Sequence, residues 1–261
     1  VNKGDGVLRK KIIAANWKMH KNRSEAQDYV NAFLPLWHEI KAADTEVIIC
    51  PPFTILHTLQ TALQGSTVMT GAQDMYWEKH GAFTGEISAP MLTDCGCSHV
   101  IVGHSERRHL LGETDDHINL KIKAALAGSL IPILCVGETL EERQNDQAFQ
   151  VVQEQLDHAL FEVDLATRNL IVAYEPVWAI GTGVNAGSED AQDMIAFIRG
   201  QLFRQFNQEL ADITPILYGG SVKAANMREF IVKKDIDGAL VGSASLDPGE
   251  FAEIARAVKN V

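Results

Sequence analysis

Two periods alternate along this chain. Short, mostly apolar runs are separated by longer segments in which apolar residues return every three or four positions. The short runs are Ile12–Asn16, Val47–Cys50, Val68–Gln73, Val100–Gly103, Ile131–Val136, Leu170–Tyr174, Ile216–Tyr218 and Gly238–Val241. They are too short for helices and rich in Val and Ile, which predicts strands covered on both faces. The longer segments carry helix start signals. Ser24 with Gln27 reads as a capping box ahead of Val30, Phe33, Leu34, Trp37 and Ile40, which share one helical face. Thr114, followed by Asp115 and Asp116, opens a helix with Ile118, Ile122 and Leu126 that Gly128 ends. Thr139 with Glu142 is another capping box. Ser188, followed by Glu189 and Asp190, opens a helix with Ala191, Met194, Ile195, Ile198 and Leu202 on one side.

Eight strands alternating with helices predict right-handed βαβ units and an all-parallel sheet. The fold class is therefore α/β, and closing eight units gives a single (β/α)8 barrel, here over residues 9–261. A doubly wound open sheet is the competing architecture. It would carry a glycine-rich fingerprint after its first strand, where this chain has Asn16-Trp17-Lys18-Met19. Residues 1–8 carry no period and read as an N-terminal tail, disordered or left over from cloning.

Composition narrows the function. The chain has 261 residues, 46% hydrophobic and 22% charged, within the range of one barrel domain. A net charge of −11 argues against nucleic acid or an anionic membrane as partner, since both need a basic surface. The longest charge-free apolar stretch, Ala124–Gly137, is interrupted by Gly128, Ser129 and Pro132 and is too short to span a bilayer. No signal peptide is visible. Cys50, Cys95, Cys97 and Cys135 form no C-x-x-C pair and read as reduced thiols, so the expected location is cytoplasmic. Cys95-Gly96-Cys97 lacks a second ligand pair, so no metal is expected.

The stretch Ala173–Gly183, AYEPVWAIGTG, draws attention to chemistry. Glu175 precedes a proline, which keeps it extended at the end of a strand. Val177, Trp178 and Ile180 follow on a glycine-spaced tether, as in a lid over a catalytic carboxylate. In a barrel the site lies at the C-terminal strand ends. Those ends carry Asn16 and Lys18, then Gly103 through Arg108, then Glu175, then Gly219-Gly220-Ser221, then Gly242-Ser243. Each has an ordinary explanation as a turn, a surface charge or a structural histidine. Together they put a carboxylate, an imidazole, an ammonium, an amide and two Gly/Ser anion nests on one face. That set suits proton abstraction next to the carbonyl of a small phosphorylated substrate. An apolar lid would raise the pKa of Glu175, and His104, Lys18 and Asn16 would serve the developing oxyanion. Lys18, as a like charge, should keep His104 neutral near pH 7.

The same residues resemble the triosephosphate isomerase family from about Arg9 to the C-terminus. The matching motifs are Asn16–Met19, Tyr76–Glu86, His104–Arg108, AYEPVWAIGTG and Tyr218–Ser221. The resemblance implies a TIM barrel that interconverts dihydroxyacetone phosphate and D-glyceraldehyde 3-phosphate, in glycolysis and gluconeogenesis, without cofactor. It implies Glu175 as base, His104 as neutral electrophile, Lys18 as positive charge and Asn16 as a positioning group. Phosphate would bind at Gly181, Ser221, Gly242 and Ser243. Glu106 would support the site, and Ile180 and Leu240 would lie against the Glu175 carboxylate. The loop Gln73–Glu86 would build a homodimer by inserting beside Met19 of a second subunit, with Thr84 supporting that subunit's Asn16. Three positions depart from the family pattern: the hinge Val184-Asn185-Ala186 lacks a common lysine, Ser243 replaces a common glycine, and His20 a common asparagine. The phosphate contact at Ser243 needs only a backbone N–H, so a short helix start with negative φ is expected there. A sugar-phosphate aldolase or a phosphoribosyl-anthranilate type isomerase is a second enzyme reading. An aldolase would need a Schiff-base lysine, and Lys18 alone lies at a strand end. A barrel kept only for binding would show damage at Asn16, Lys18, His104 or Glu175, and all four are present.

Overall fold

The computed structural model describes residues 9–40, 44–165, 169–179 and 186–259. Eight parallel strands close into a barrel in sequence order: β1 Lys11–Asn16, β2 Thr45–Cys50, β3 Met69–Ala72, β4 His99–Val102, β5 Ile131–Val136, β6 Ile171–Tyr174, β7 Ile216–Tyr218 and β8 Gly238–Val241. All eight expected strands are present; three have the expected bounds, and the ends of the other five shift by one or two residues. The ring closes where Ile13 of β1 faces Ala239 of β8 and, on its other side, Val47 of β2. The open-sheet alternative is thereby excluded.

Alternation explains why the strands look uniformly apolar. Ile12, Ala14, Ile48, Cys50, Ile101, Ile133, Cys135, Ile171, Ala173, Leu217 and Leu240 form one buried cluster inside the barrel. Their neighbours, such as Ile13, Val47, Val100, Leu134, Val172 and Ile216, belong to a second cluster shared with the surrounding helices. Each strand thus buries both faces.

The helices are α1 Arg23–Ile40, α2 Leu56–Ala62, α3 Ala89–Asp94, α4 Ser105–Leu110, α5 Asp115–Ala127, α6 Leu140–Gln144, α7 Ala148–Ala159, α8 Ser188–Gln205, α9 Gln208–Ile213, α10 Ala224–Ile231 and α11 Pro248–Val258. Two expected caps are corrected. In α1 the box is Asn22 with Glu25, not Ser24 with Gln27. The Asn22 side chain accepts from the Glu25 N–H at 3.0 Å, and the Glu25 carboxylate accepts from the Asn22 N–H at 2.7 Å. Ser24 is already inside the helix, so its N–H and hydroxyl are past the cap position. In α8 the cap is Gly187, without a side-chain bond, and Ser188 is the first helical residue. The Thr139–Glu142 box and the Thr114 cap are formed as expected. The four cysteines are unpaired, and Cys95 alone is partly exposed. Among the described residues no helix is long and apolar enough to cross a membrane.

Candidate active site

Counting by twos from the barrel interior past the C-terminal strand ends reaches Asn16, Pro52, Gln73, Gly103, Gly137, Glu175, Gly219 and Gly242. Apart from Pro52 this uppermost inward layer is polar or glycine, and it leaves a cleft of about 600 Å³ where the lower layers are filled. Asn16, Lys18, His104, Glu175, Ser221, Leu240, Gly242 and Ser243 all line that cleft, as does His20.

The loop after β1 is held by polar clamps. The Asn16 side chain accepts from the Lys18 N–H at 3.0 Å, and Lys18 adopts a left-handed φ of 50°. The Gln73 amide donates to the carbonyls of Lys18 and Cys50, both at 2.9 Å. The Lys18 ammonium donates to Glu106 at 2.7 Å. An ammonium tied up in an ion pair is not the free amine that a Schiff-base aldolase needs.

His104 follows β4 and caps α4. Its Nδ1 accepts from the Glu106 N–H at 3.2 Å. The neutral ring therefore carries its proton on Nε2, and Nε2 lies 3.0 Å from Glu175 Oε1. The other carboxylate oxygen, Oε2, accepts from the Ser105 N–H at 3.0 Å. Glu175 is 2% exposed, and its own N–H donates to Val136 of β5 at 2.8 Å. The neighbouring strand can come this close only because residue 137 is glycine: a Cβ there would lie 1.8 Å from the Glu175 carbonyl oxygen.

Two pKa directions run opposite to expectation in this arrangement. Burial pushes the Glu175 carboxyl up, but His104 and the Ser105 N–H outweigh it and its pKa falls below the ordinary carboxylate value. Burial likewise opposes charge on His104, but the Glu175 carboxylate outweighs it and raises the imidazole pKa. Lys18, the expected cause of a neutral ring, is the weakest of the influences acting on it, behind both Glu175 and Glu106.

At the anion end, Ser243 opens a short 3-10 helix, Ser243–Leu246, with Gly242 at its cap. Ser243 is not among the residues with positive φ, in line with the expectation. Ser221 follows β7 on the same rim of the cleft. Of the lid, Val177–Ala179 form a short 3-10 helix, and the Trp178 ring N–H donates to the buried Glu138 at 2.9 Å. Ile180, Gly181 and the hinge positions 184 and 185 lie outside the described residues. Thr84 is exposed and does not line the cleft of its own chain.

Sequence reasoning missed Ser105, Gln73 and the whole end of β5. The Cys135 thiol lies against Glu175, and burial, with that carboxylate, raises its pKa. Glu138, three residues further on, is fully buried and accepts from Tyr174 and Trp178. Strand-end position alone could have nominated Gly137-Glu138. Among the described residues no group of His, Cys, Asp and Glu could hold a metal.

The sequence model of the triosephosphate isomerase family matches residues 11–258. The chain is 50% identical to the triosephosphate isomerase of Moorella thermoacetica over 248 residues, 95% of this chain and 98% of that one. It is 50% identical to the enzyme of Aquifex aeolicus over 245 residues, 94% of this chain and 98% of that one. For Geotalea uraniireducens the identity is 47% over 250 residues, 95% and 99% of the two chains. A closed eight-stranded barrel, a carboxylate–imidazole pair at its C-terminal mouth and these matches lead to one conclusion: the chain belongs to the triosephosphate isomerase family.

Proposed function

We infer that this chain interconverts dihydroxyacetone phosphate and D-glyceraldehyde 3-phosphate by proton transfer through an enediol(ate), with no cofactor. The observation that carries the reading is the Glu175–His104 pair, 3.0 Å apart, in a cleft that also contains Lys18 and the Gly242-Ser243 helix start. Glu175 is the base that moves the proton between neighbouring carbons. His104 Nε2–H and the Lys18 ammonium stabilise the oxygen that gains charge. Asn16 and Lys18 orient the substrate, and N–H groups at Gly181, Ser221, Gly242 and Ser243 hold its phosphate. Leu240 and Ile180 keep water from the carboxylate.

In the free protein both carboxylate oxygens of Glu175 are occupied, one by His104 and one by the Ser105 N–H. To take a proton from carbon, the carboxylate must leave at least one of them. Leaving removes the partners that lower its pKa, and burial then makes it a stronger base. The same step withdraws from His104 the carboxylate that raises its pKa. The ring then favours the neutral form, with its Nε2 proton free for the substrate oxygen. One displacement thus tunes both groups for the reaction.

We also infer a cytoplasmic homodimer. Met19 is 93% exposed and Phe83 41% exposed in the single chain, an apolar surface that calls for a cover. The loop Gln73–Glu86 would supply it to a second subunit, bringing Thr84 to that subunit's Asn16. Four unpaired cysteines suit a reducing compartment.

The test is turnover of D-glyceraldehyde 3-phosphate by the purified protein, followed by NADH-dependent reduction of the ketone product. No turnover in a folded preparation would overturn the reading, and sedimentation of a fully active monomer would overturn the dimer.

A further inference from the structure

Arg108 has no part in the chemistry above, yet its side chain is only 9% exposed, and two of its three bonds run to backbone carbonyls at the ends of β4 and β5. It is the fourth residue of α4 and turns back toward the strand ends. Its Nε donates to the Gly103 carbonyl at 2.8 Å, Nη2 to the Cys135 carbonyl at 3.1 Å, and Nη1 to Asp115 at the start of α5 at 2.5 Å. One planar group thus ties the end of β4 to the end of β5. Gly103 makes room for it, with φ at 73°, and a Cβ there would lie 3.1 Å from Nη2.

The two carbonyls are placed for leverage. The Gly103 carbonyl and the His104 N–H belong to one peptide plane, so holding the oxygen fixes the direction in which His104 leaves the backbone. The Cys135 carbonyl belongs to the peptide that leads into Val136, and Val136 accepts the Glu175 N–H at 2.8 Å. The guanidinium therefore braces the backbone on both sides of the His104–Glu175 pair. We propose that Arg108 is a positioning residue of this site, whose two-carbonyl bridge sets the angle at which His104 meets Glu175 and the substrate oxygen. The proposal rests on the reading of His104 and Glu175 as the reacting pair. Lysine cannot replace it, because a single ammonium lacks the fixed fork that reaches both carbonyls.

The test compares Arg108→Lys and Arg108→Met with the wild type in the full-length protein. Folded fraction and assembly are measured by near-UV circular dichroism and sedimentation, and kcat and KM are determined with glyceraldehyde 3-phosphate. A misplacement near the chemistry should lower kcat roughly ten- to a hundredfold per folded protein, with KM within about threefold. The ring 15N signals of His104 should move in Arg108→Lys. The proposal falls if a folded variant keeps kcat within twofold of wild type, or if the loss is all in KM. If Arg108→Met does not fold, Arg108→Lys decides. Glu175→Gln and His104→Gln separate the two levels. If they abolish turnover while Arg108→Lys does not, the pair stands and the brace falls. If they too leave turnover intact, the reading of the pair itself has failed.

Discussion

β4 carries a histidine paired with a glutamate at each of its ends, and only one pair lies in a site. Above the strand, His104 Nε2 is 3.0 Å from Glu175. At its lower end, His99 Nε2 is 3.2 Å from Glu46 of β2. Residue types and separations nearly coincide, and both histidines are buried. The surroundings differ. His99 and Glu46 sit within strands, so their backbone groups are committed to the barrel. Ser98 contacts His99 Nδ1 at 2.8 Å and Lys10 donates to Glu46 at 3.2 Å. Close by, Arg9 and Arg199 are bonded to Asp237, and Arg199 also to Asp235. These charges pair with one another around the lower mouth, a smaller cleft of about 370 Å³ that Arg9, Lys10, Glu46 and His99 line. His104 and Glu175 lie one or two residues beyond their strands, where helix α4 offers free N–H groups from Ser105 and Glu106. A carboxylate held by a backbone N–H and a histidine beside an open cleft can exchange those partners for substrate. Glu46, held by Lys10 within the sheet, has no helix-start N–H to exchange with. Position relative to the strand end, more than residue type, separates a reactive pair from a structural one.

The largest effect that could break this comparison is on turnover. Glu175→Gln should lower kcat by several orders of magnitude, beyond the roughly 10²–10⁴-fold usual for general acid–base help, because no second base faces the substrate. Glu46→Gln should leave kcat within about twofold. If the steady-state rates of the two variants are alike, the distinction between the two mouths is wrong.

Stability should respond in the opposite sense. The His99 ring beside it, with help from Lys10, holds the Glu46 carboxyl below the usual carboxylate value despite its partial burial. A depressed carboxylate adds stability above its unfolded pKa of about 4.5 and gives it up as pH falls through the folded value. Glu46→Gln should therefore cost about 1–3 kcal/mol near neutral pH, the range for a hydrogen bond to a charged group. The gap to wild type should shrink below about pH 4.5. Urea midpoints at fixed protein concentration would measure it, and a gap that is constant with pH would contradict the charge argument.

A third, smaller effect sharpens the upper pair. With the Glu175 carboxylate beside it, His104 in the free protein should titrate above the ordinary imidazole value of 6.5. In Glu175→Gln that pull is gone, and burial should carry the midpoint down. Ring-nitrogen NMR across neutral pH would follow both proteins. An unchanged midpoint would mean that Glu175 does not set the charge of His104.

Much of this was legible because it depends on short-range pattern. The unbroken apolar runs within Ile12–Asn16 and Ile131–Val136 mark strands buried on both faces, and Glu175 stands out through the proline after it. The caps at Thr114 and Thr139 are local and were read correctly. Asn22 was missed because a serine with a suitable partner sat two residues later, and only backbone geometry chooses between them. Ser105 and Gln73 act through an N–H and through amide bonds to distant carbonyls, and nothing in a side chain's identity announces which carbonyl it will reach. The pull of Glu175 on His104 was hidden for the same reason. Lys18 is matched by Glu106, 88 residues away, and the approach of Glu175 to Nε2 is a fact of three dimensions.

The smallest expected effect lies at the anion end of the upper mouth, which the lower mouth has no counterpart for. Ser243 replaces a glycine common in the family. A strongly positive φ would strain serine there, but the residue begins a 3-10 helix and lies outside the left-handed region. The backbone N–H of a helix start binds phosphate whatever the side chain, so the serine costs nothing in geometry. Its hydroxyl could add one donor. Ser243→Gly should thus change the inhibition constant of inorganic phosphate by no more than roughly 1 kcal/mol, the worth of one neutral hydrogen bond. Ser243→Pro should weaken inhibition further, because it removes the N–H itself. If both variants bind phosphate as wild type does, the anion is held elsewhere on the rim, at Ser221 or the lid, and the helix start at Ser243 has only a structural part.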